Sequence, residues 1–176
     1  MKKENYDVVL IGGGPASLYC AYGLLQKKNL SILIIEKGSS IDKRVCPSLN
    51  NHTKCVSCNT CSIMSGVGGS GLKSDGKFNI TNDFGGVLWE KIGKEKSLFL
   101  QEEVDSINHS FYKKRLEKSA KDAMYPLSVY DDFPKKYSSK NSVHKKLCTQ
   151  HDLHLMDADI RHLGTDKGQL VYSQLY

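Results

Sequence analysis

The sequence predicts an α/β fold that opens on a parallel strand–helix–strand unit. Three observations predict it. An apolar run at residues 6–11, YDVVLI, is bounded by charge on one side and glycine on the other. A glycine turn, GGGP at 12–15, leads into a stretch of helical periodicity. A second apolar run, SILIIE at 31–36, closes the pattern within ~35 residues, the span of a βαβ unit.

Each element has its own signal. Tyr6-Asp7-Val8-Val9-Leu10-Ile11 reads as a buried parallel strand, because strands covered on both faces carry continuous apolar runs. Pro15 suits a first helical position, where no intrahelical partner waits for the N–H it lacks. The helix then runs through Ala16, Leu18, Tyr19, Ala21 and Leu24 to about Lys28, and residues 31–36 form the second strand after a right-handed crossover. From Lys37 to Gly86 periodicity is weak and glycine, serine, asparagine and cysteine dominate, as in a loop that wraps a ligand. Leu100, Val104, Ile107 and Phe111 recur at helical steps and predict a helix over 97–118. Residues 125–134, YPLSVYDDFP, read as a connector or substrate-side loop. Ser142–Gln150 reads as a short helix and Leu153–Ile160, LHLMDADI, as an alternating strand. Thr165 or Asp166 then caps a last helix running to Tyr176.

Composition narrows the function classes. At 39% hydrophobic residues the chain has material for a core, which excludes an extended disordered polymer. No apolar run approaches the ~20 residues of a membrane helix, and Asp7 with the glycine break leaves no signal-peptide core, so a cytoplasmic protein is expected. The formal charge of +6 is almost all lysine; the arginines are Arg44, Arg115 and Arg161. Lysine is the weaker residue for bidentate recognition of phosphate or guanine. The basic stretches 113–121 and 135–146 therefore read as solvated faces, and nucleic acid is disfavoured as a partner. Six cysteines in such a chain point to metal, catalysis or burial and away from a disulfide framework. Cys20 and Cys148 read as small buried hydrophobes.

The turn Gly12-Gly13-Gly14-Pro15-Ala16-Ser17 follows G-x-G-x-x-G, with serine at the third site. Gly12 permits the tight turn, Gly14 leaves room for a pyrophosphate against the helix start, and the third site needs only a small residue. Glu36 ends the second strand at the place of the acid that hydrogen-bonds a ribose hydroxyl and repels a 2′-phosphate. In register, these features predict a Rossmann-like dinucleotide-binding unit.

The following segment carries a family resemblance. Its residues are Cys46-Pro47, the triplet Cys55, Cys58 and Cys61, Gly66, Gly68-Gly69, Gly71, Ser74-Asp75-Gly76-Lys77, Gly85-Gly86 and the later stretch Arg161–Asp166. Together they resemble a family of uncharacterised FAD-dependent dehydrogenases of the two-dinucleotide-binding flavoprotein class. The resemblance spans nearly the whole chain, with a weak middle at 87–140. It implies an oxidoreductase passing hydride through FAD, with a small-molecule substrate not readable here and NAD(P)H as a candidate electron donor or acceptor. It places the ADP half of FAD on the first βαβ unit and brings Gly68, Gly69, Gly71, Ser74, Asp75 and Lys77 to the cofactor. Lys37 and Arg44 fall where family residues lie by the adenosine.

Family members are longer, and the Gly-Asp signature of their return strand has no counterpart here. The chain thus reads as the N-terminal part of an FAD-binding domain with an incomplete parallel sheet: a fingerprint unit at 1–36, a Cys/Gly-rich cofactor loop at 37–96, and a helical and α/β segment at 97–176. Such a part is expected to hold FAD weakly and to turn nothing over. No side chain stands out as a catalytic acid or base, and His162 reads as a structural histidine. Three roles stay open for Cys46, Cys55, Cys58 and Cys61: ligands of a [4Fe–4S] cluster or zinc, reduced structural thiols, or a redox pair at Cys55–Cys58 or Cys58–Cys61. Two rival readings are a non-catalytic dinucleotide-binding remnant or sensor, and a cysteine-rich metal module contacting nucleic acid.

Overall fold

A computed structural model describes residues 5–123 and 134–176. It is a mixed α/β structure in two compact units. Unit 1 holds residues up to Asp75 together with Thr165–Tyr176, and unit 2 holds Gly76–Gly164.

Unit 1 is built on two parallel strands, β1 (Val8–Ile11) and β2 (Ile32–Ile35), joined by helix α1 (Pro15–Lys27). The register runs from Val8 opposite Ile32 to Ile11 opposite Ile35. A polar clasp sets it: Asp7 accepts from the Ser31 N–H at 2.7 Å and from its hydroxyl at 2.8 Å, while the Asp7 N–H donates to Ser31 O at 2.9 Å. At the other end the Gly12 N–H extends the ladder by donating to Ile35 O at 2.7 Å. The core is Leu18 of α1, Val67 and Leu72 of the long loop, and Tyr172 of helix α6 (Gly164–Leu175), with Ile34, Ile41 and Leu175 packed against it. Burial in that core raises the phenol pKa of Tyr172. Between β2 and Asp75 there are only short turns: a 3₁₀ turn at Ile41–Lys43, the one-turn helix α2 (Pro47–Asn50) and a 3₁₀ turn at Ser70–Lys73.

Unit 2 carries an antiparallel sheet in the order β3 (Lys77–Ile80), β5 (Asp159–His162), β4 (Lys136–Ser138). Helices α3 (Leu88–Ile92), α4 (Lys94–Ala123) and α5 (Ser142–Gln150) complete it. Asn141 caps α5, its side-chain oxygen accepting from the Val143 and His144 N–H groups. The long helix α4 buries one stripe of mixed character, with Ser97, Asp105, Asn108, Phe111 and Tyr112 at helical spacing. Charge is tolerated there because Asp105 is paired. Arg161 of β5 donates Nε to Asp105 Oδ1 at 2.5 Å and Nη2 to Oδ2 at 2.6 Å, while its Nη1 donates to Pro134 O. This fork fastens the helix to the central strand of the sheet.

The structure departs from the sequence expectations at several places. The strand at 6–11 is parallel, but it is not buried on both faces: Val9 and Ile11 of β1 and Ile35 of β2 are exposed, Ile11 at 78%. A two-stranded sheet with one helical layer covers a single face. Cys20 is exposed, not buried, because it lies about 200° around the helix from buried Leu18; Cys148 is half-buried. The alternation at Leu153–Ile160 is not a strand over its full length. Pairing begins at Asp159, where β3 and β4 both reach β5, and Leu153 and Met156 stay exposed. Strands β3 and β4 and helix α3 went unforeseen, being short pieces inside polar sequence. Residues 125–133 of the expected connector lie outside the described residues. Among the described residues no helix is long and apolar enough to cross a membrane.

The Arg161–Asp105 fork gives a direct test. Removing one partner of a buried pair leaves the other without its countercharge, so Asp105→Ala should lower stability by about 3–5 kcal/mol. The exposed pair Lys136–Glu102, at 2.7 Å, should matter far less, with Glu102→Ala costing under ~1 kcal/mol. Denaturant melts of the two variants measure the contrast; equal losses would refute it.

Candidate functional site

The glycine turn sits between the end of β1 and the start of α1, beside the end of β2. Gly12 has φ +95°, a conformation that favours glycine. Gly14 is different. Its φ of −75° and ψ of 177° suit any residue, and a Cβ built on it would meet no atom within 4 Å. It is the N-cap of α1, and no side chain caps that helix start. The first-turn N–H groups of Ala16 and Ser17 therefore have no intrahelical acceptor.

Two ionised side chains hold the surroundings in place. Glu36, just past β2, accepts the Gly13 N–H on Oε2 at 2.6 Å. Its other oxygen, Oε1, accepts the Gly38 N–H at 2.8 Å and the Gly66 N–H at 3.1 Å. These donors, led by Gly13 and Gly38, hold the carboxyl pKa below its ordinary 4.5. Arg44 does the converse for carbonyls. It is 2% exposed and donates Nε to Ser62 O at 2.9 Å, Nη1 to Val67 O at 2.8 Å and to Gly69 O at 2.7 Å, and Nη2 to Ile63 O at 2.7 Å. Burial pulls its pKa down, and the nearby charges of Glu36 and Cys61 oppose that shift.

The loop so held is pressed against the turn. The Gly68 N–H donates to Gly13 O at 2.8 Å. A Cβ on Gly69 (φ +58°) would sit 3.2 Å from Pro15 Cδ and 3.3 Å from the Gly14 Cα, and one on Gly71 would sit 3.2 Å from the Tyr172 hydroxyl. Between loop and turn lies an open cleft of about 520 Å³ lined by Ile11, Gly12, Ile35, Glu36, Lys37, Met64, Ser65, Gly66 and Gly69. That volume falls within the roughly 300–1,000 Å³ of small-molecule sites.

The structure sorts the expected site residues into groups. Gly12, Glu36, Lys37 and Gly69 line the cleft; Gly13, Gly14, Pro15, Ala16 and Ser17 form its adjoining turn and helix start. Arg44 is absent from the lining and turns its guanidinium into the loop. Gly68 and Gly71 are absent from the lining; Gly68 lies against Leu72 and Gly71 against Tyr172. Ser74 and Asp75 close unit 1, where Ser74 Oγ donates to Gly71 O at 2.8 Å, and Lys77 belongs to β3 of unit 2. Met64, Ser65 and Gly66 are wall residues that sequence reasoning did not single out as cofactor contacts. The signal for Gly66 was its place in the glycine series: a Cβ on Gly38 would lie 2.5 Å from the Gly66 nitrogen, so the two backbones touch.

The cysteines are dispersed in role. Cys46 is the N-cap of α2, Cys55 and Cys58 are exposed, and Cys61 is half-buried. The carbonyl of Cys61 accepts from the Met64 and Ser65 N–H groups at 3.1 and 2.8 Å. Its thiol pKa is lowered by the N–H groups of Met64 and Ile63 and by the Arg44 charge. Among the described residues no three Cys, His, Asp or Glu side chains gather in a metal-holding group.

Comparison with known proteins returned no matching family model, no matching curated protein and no matching solved structure.

Two outcomes follow from the clamps. Arg44→Lys keeps a charge but cannot span four carbonyls, so it should destabilise unit 1 by on the order of 3 kcal/mol, read by denaturant melts. For Glu36 the folded pKa lies below the unfolded one. Its contribution is therefore full above pH 4.5 and is lost as pH falls through the folded value. Glu36→Gln should lower stability at pH 7 and flatten the acid limb of a stability–pH curve; an unchanged acid limb would contradict the clamp.

Proposed function

We propose that the β1–turn–α1–β2 unit binds the ADP half of a dinucleotide, FAD by the family resemblance, and that the chain belongs to an FAD-dependent oxidoreductase of Rossmann-like fold. The observation that carries the first part is Gly14. Nothing in the folded chain requires glycine there, neither its dihedral angles nor its neighbours. The space in front of it adjoins an uncapped helix start, where an anion gains from oriented N–H groups and the helix dipole. A Cβ on Gly23 or Gly168 would also meet nothing within 4 Å, but Gly23 stands mid-way along α1 and Gly168 is buried in the second turn of α6. The oxidoreductase part rests on the resemblance.

The residues present fit the group. Gly12, Gly14 and the start of α1 would take the pyrophosphate, Lys37 would add a cation at the rim, and the cleft lined by Ile11, Ile35 and Met64 would take an apolar ring. Glu36 has a narrower part than the fingerprint alone suggests. A carboxylate offers about four acceptor positions, and three are filled by backbone N–H groups, which leaves one for a ribose hydroxyl. When bound, a flavin supplies hydride and electron transfer. The chain's residues bind and orient it, and Glu36 keeps the turn in the shape that receives it.

Gly14→Ala and Gly14→Val test the reading, since a Cβ at this position meets no atom within 4 Å. Replacing a glycine N-cap should cost each variant about 1 kcal/mol of stability, while the Kd for ADP or FAD should rise by roughly tenfold for alanine and roughly 100-fold for valine, about 1.4 and 2.7 kcal/mol. Calorimetric titration measures it, and unchanged affinity in Gly14→Val would sink the assignment. Glu36→Ala should instead lose affinity and stability together.

A further inference from the structure

Unit 2 holds a second cleft, of about 320 Å³, formed by β3, the turn after it, α3 and the first turns of α4. Its walls carry Asn79, Asn82, Phe84, Trp89, Ser97 and Gln101. No residue lining it is charged, in a chain of which 25% is charged. The neighbouring pocket shares Thr81 and Asn82 but is lined by several charged side chains, among them Lys140 paired with Asp159 at 3.1 Å. A cation entering the cleft would shed water and meet no countercharge in its lining, whereas a neutral hydrogen-bonding group would meet partners.

Those partners are fixed in orientation. Gln101 Oε1 accepts the Thr81 N–H at 2.7 Å, and its Nε2 donates to Ser97 Oγ at 3.1 Å. Ser97 is 1% exposed. The bonds set which end of the amide faces which way and leave the second Nε2 proton to donate elsewhere. Asn82 Nδ2 donates to Lys94 O at 3.0 Å, while its Oδ1 is buried without a partner among the described residues. Asn79 stands exposed on β3 with a donor and an acceptor. Beside these amides lie two aromatic rings. The Lys94 ammonium sits 5.0 Å from the Trp89 ring centroid, and a Cβ on Gly85 or Gly86 would meet nothing within 4 Å, so the backbone before α3 is bare.

We propose that this cleft binds an uncharged heteroaromatic ring of about purine size, its edge read by the amides of Asn79 and Gln101 and its face stacked on Trp89. Side-chain amides match the adjacent donor and acceptor of such a ring edge. Aromatic side chains supply the flat apolar surface that its face needs. The site lies within unit 2 and does not depend on the dinucleotide reading of unit 1.

Trp89 is the chain's one tryptophan, so its emission reports on this cleft alone. The test titrates the 176-residue chain at pH 7 with three probes: adenine, the cationic ring 1-methylnicotinamide, and glucose as an uncharged non-aromatic. Adenine should quench Trp89 saturably, and 1-methylnicotinamide and glucose should not. Asn79→Ala, at an exposed position of β3, should raise the apparent Kd for adenine roughly tenfold, as should Gln101→Ala. Gly14→Val should leave the titration unchanged, which separates this site from the one in unit 1. No saturable quenching by adenine, equal saturable quenching by 1-methylnicotinamide or glucose, or a titration indifferent to Asn79→Ala would each overturn the proposal.

Discussion

The ordering of unit 1 depends on finding partners for backbone groups that no ladder or helix satisfies. Residues 37–69 contain one 3₁₀ turn and one helical turn, and little else that is regular. Buried N–H and C=O groups cost free energy when unpaired, so a loop of this kind must borrow partners. It borrows them from two ionised side chains of opposite sense. Glu36 gathers N–H groups from Gly13, Gly38 and Gly66, and Arg44 gathers carbonyls from Ser62, Ile63, Val67 and Gly69. The anion joins three separate segments, and the cation folds one segment upon itself. Each is the chemical complement of what the other takes, and the cleft is the space left where their two territories meet.

This division explains how much of the site was legible. The glycine turn, α1 and β2 follow from local signals: apolar runs, proline at the helix start, glycine where φ is positive. Helix α5 carries its own cap in Asn141 and was found to the residue. Glu36 was legible as important because of its position, but the sequence pattern points it at a ribose. That it also clamps three backbone segments depends on Gly66, thirty residues away, and no periodicity reports such a contact. Arg44 was legible only as a cation near the adenosine. Its burial follows from carbonyls in a loop whose path cannot be read from residue types. Strand β5 was shifted for a related reason. Alternation at 153–160 marks a sequence able to pair, while the actual strand forms where β3 and β4 come alongside.

The cysteine series shows the same limit from the other side. Spacing in steps of three suggested one centre, yet the four residues take unlike positions: a helix cap, two exposed sites, and a half-buried thiol near Arg44. Cys61 is the member tied into the wall. Its carbonyl starts the turn that carries Met64 and Ser65 to the cleft, and its thiol shares the field of the guanidinium that folds the loop. Chemistry at this sulfur is therefore coupled to the wall by short range electrostatics, whereas Cys55 and Cys58 stand exposed.

The weak point of unit 1 is the sheet itself. Two parallel strands make a marginal sheet in water, and parallel sheets are ordinarily covered on both faces. Here the side bearing Val9, Ile11 and Ile35 is open, and the cleft reaches Ile11 and Ile35. Order must come from the covered side, where Leu18, Leu72 and Tyr172 pack, and from the Glu36 clamp at the strand ends. A ligand in the cleft would touch the clamp, the open apolar side chains and the glycine turn together. Binding at that place adds to the stability of the folded form by mass action, in proportion to how far its concentration exceeds Kd. Folding and ligand affinity in unit 1 are then linked at Glu36, which borders the cleft and clamps the strand ends, while Gly14 faces open space and bears on the ligand more than on the fold.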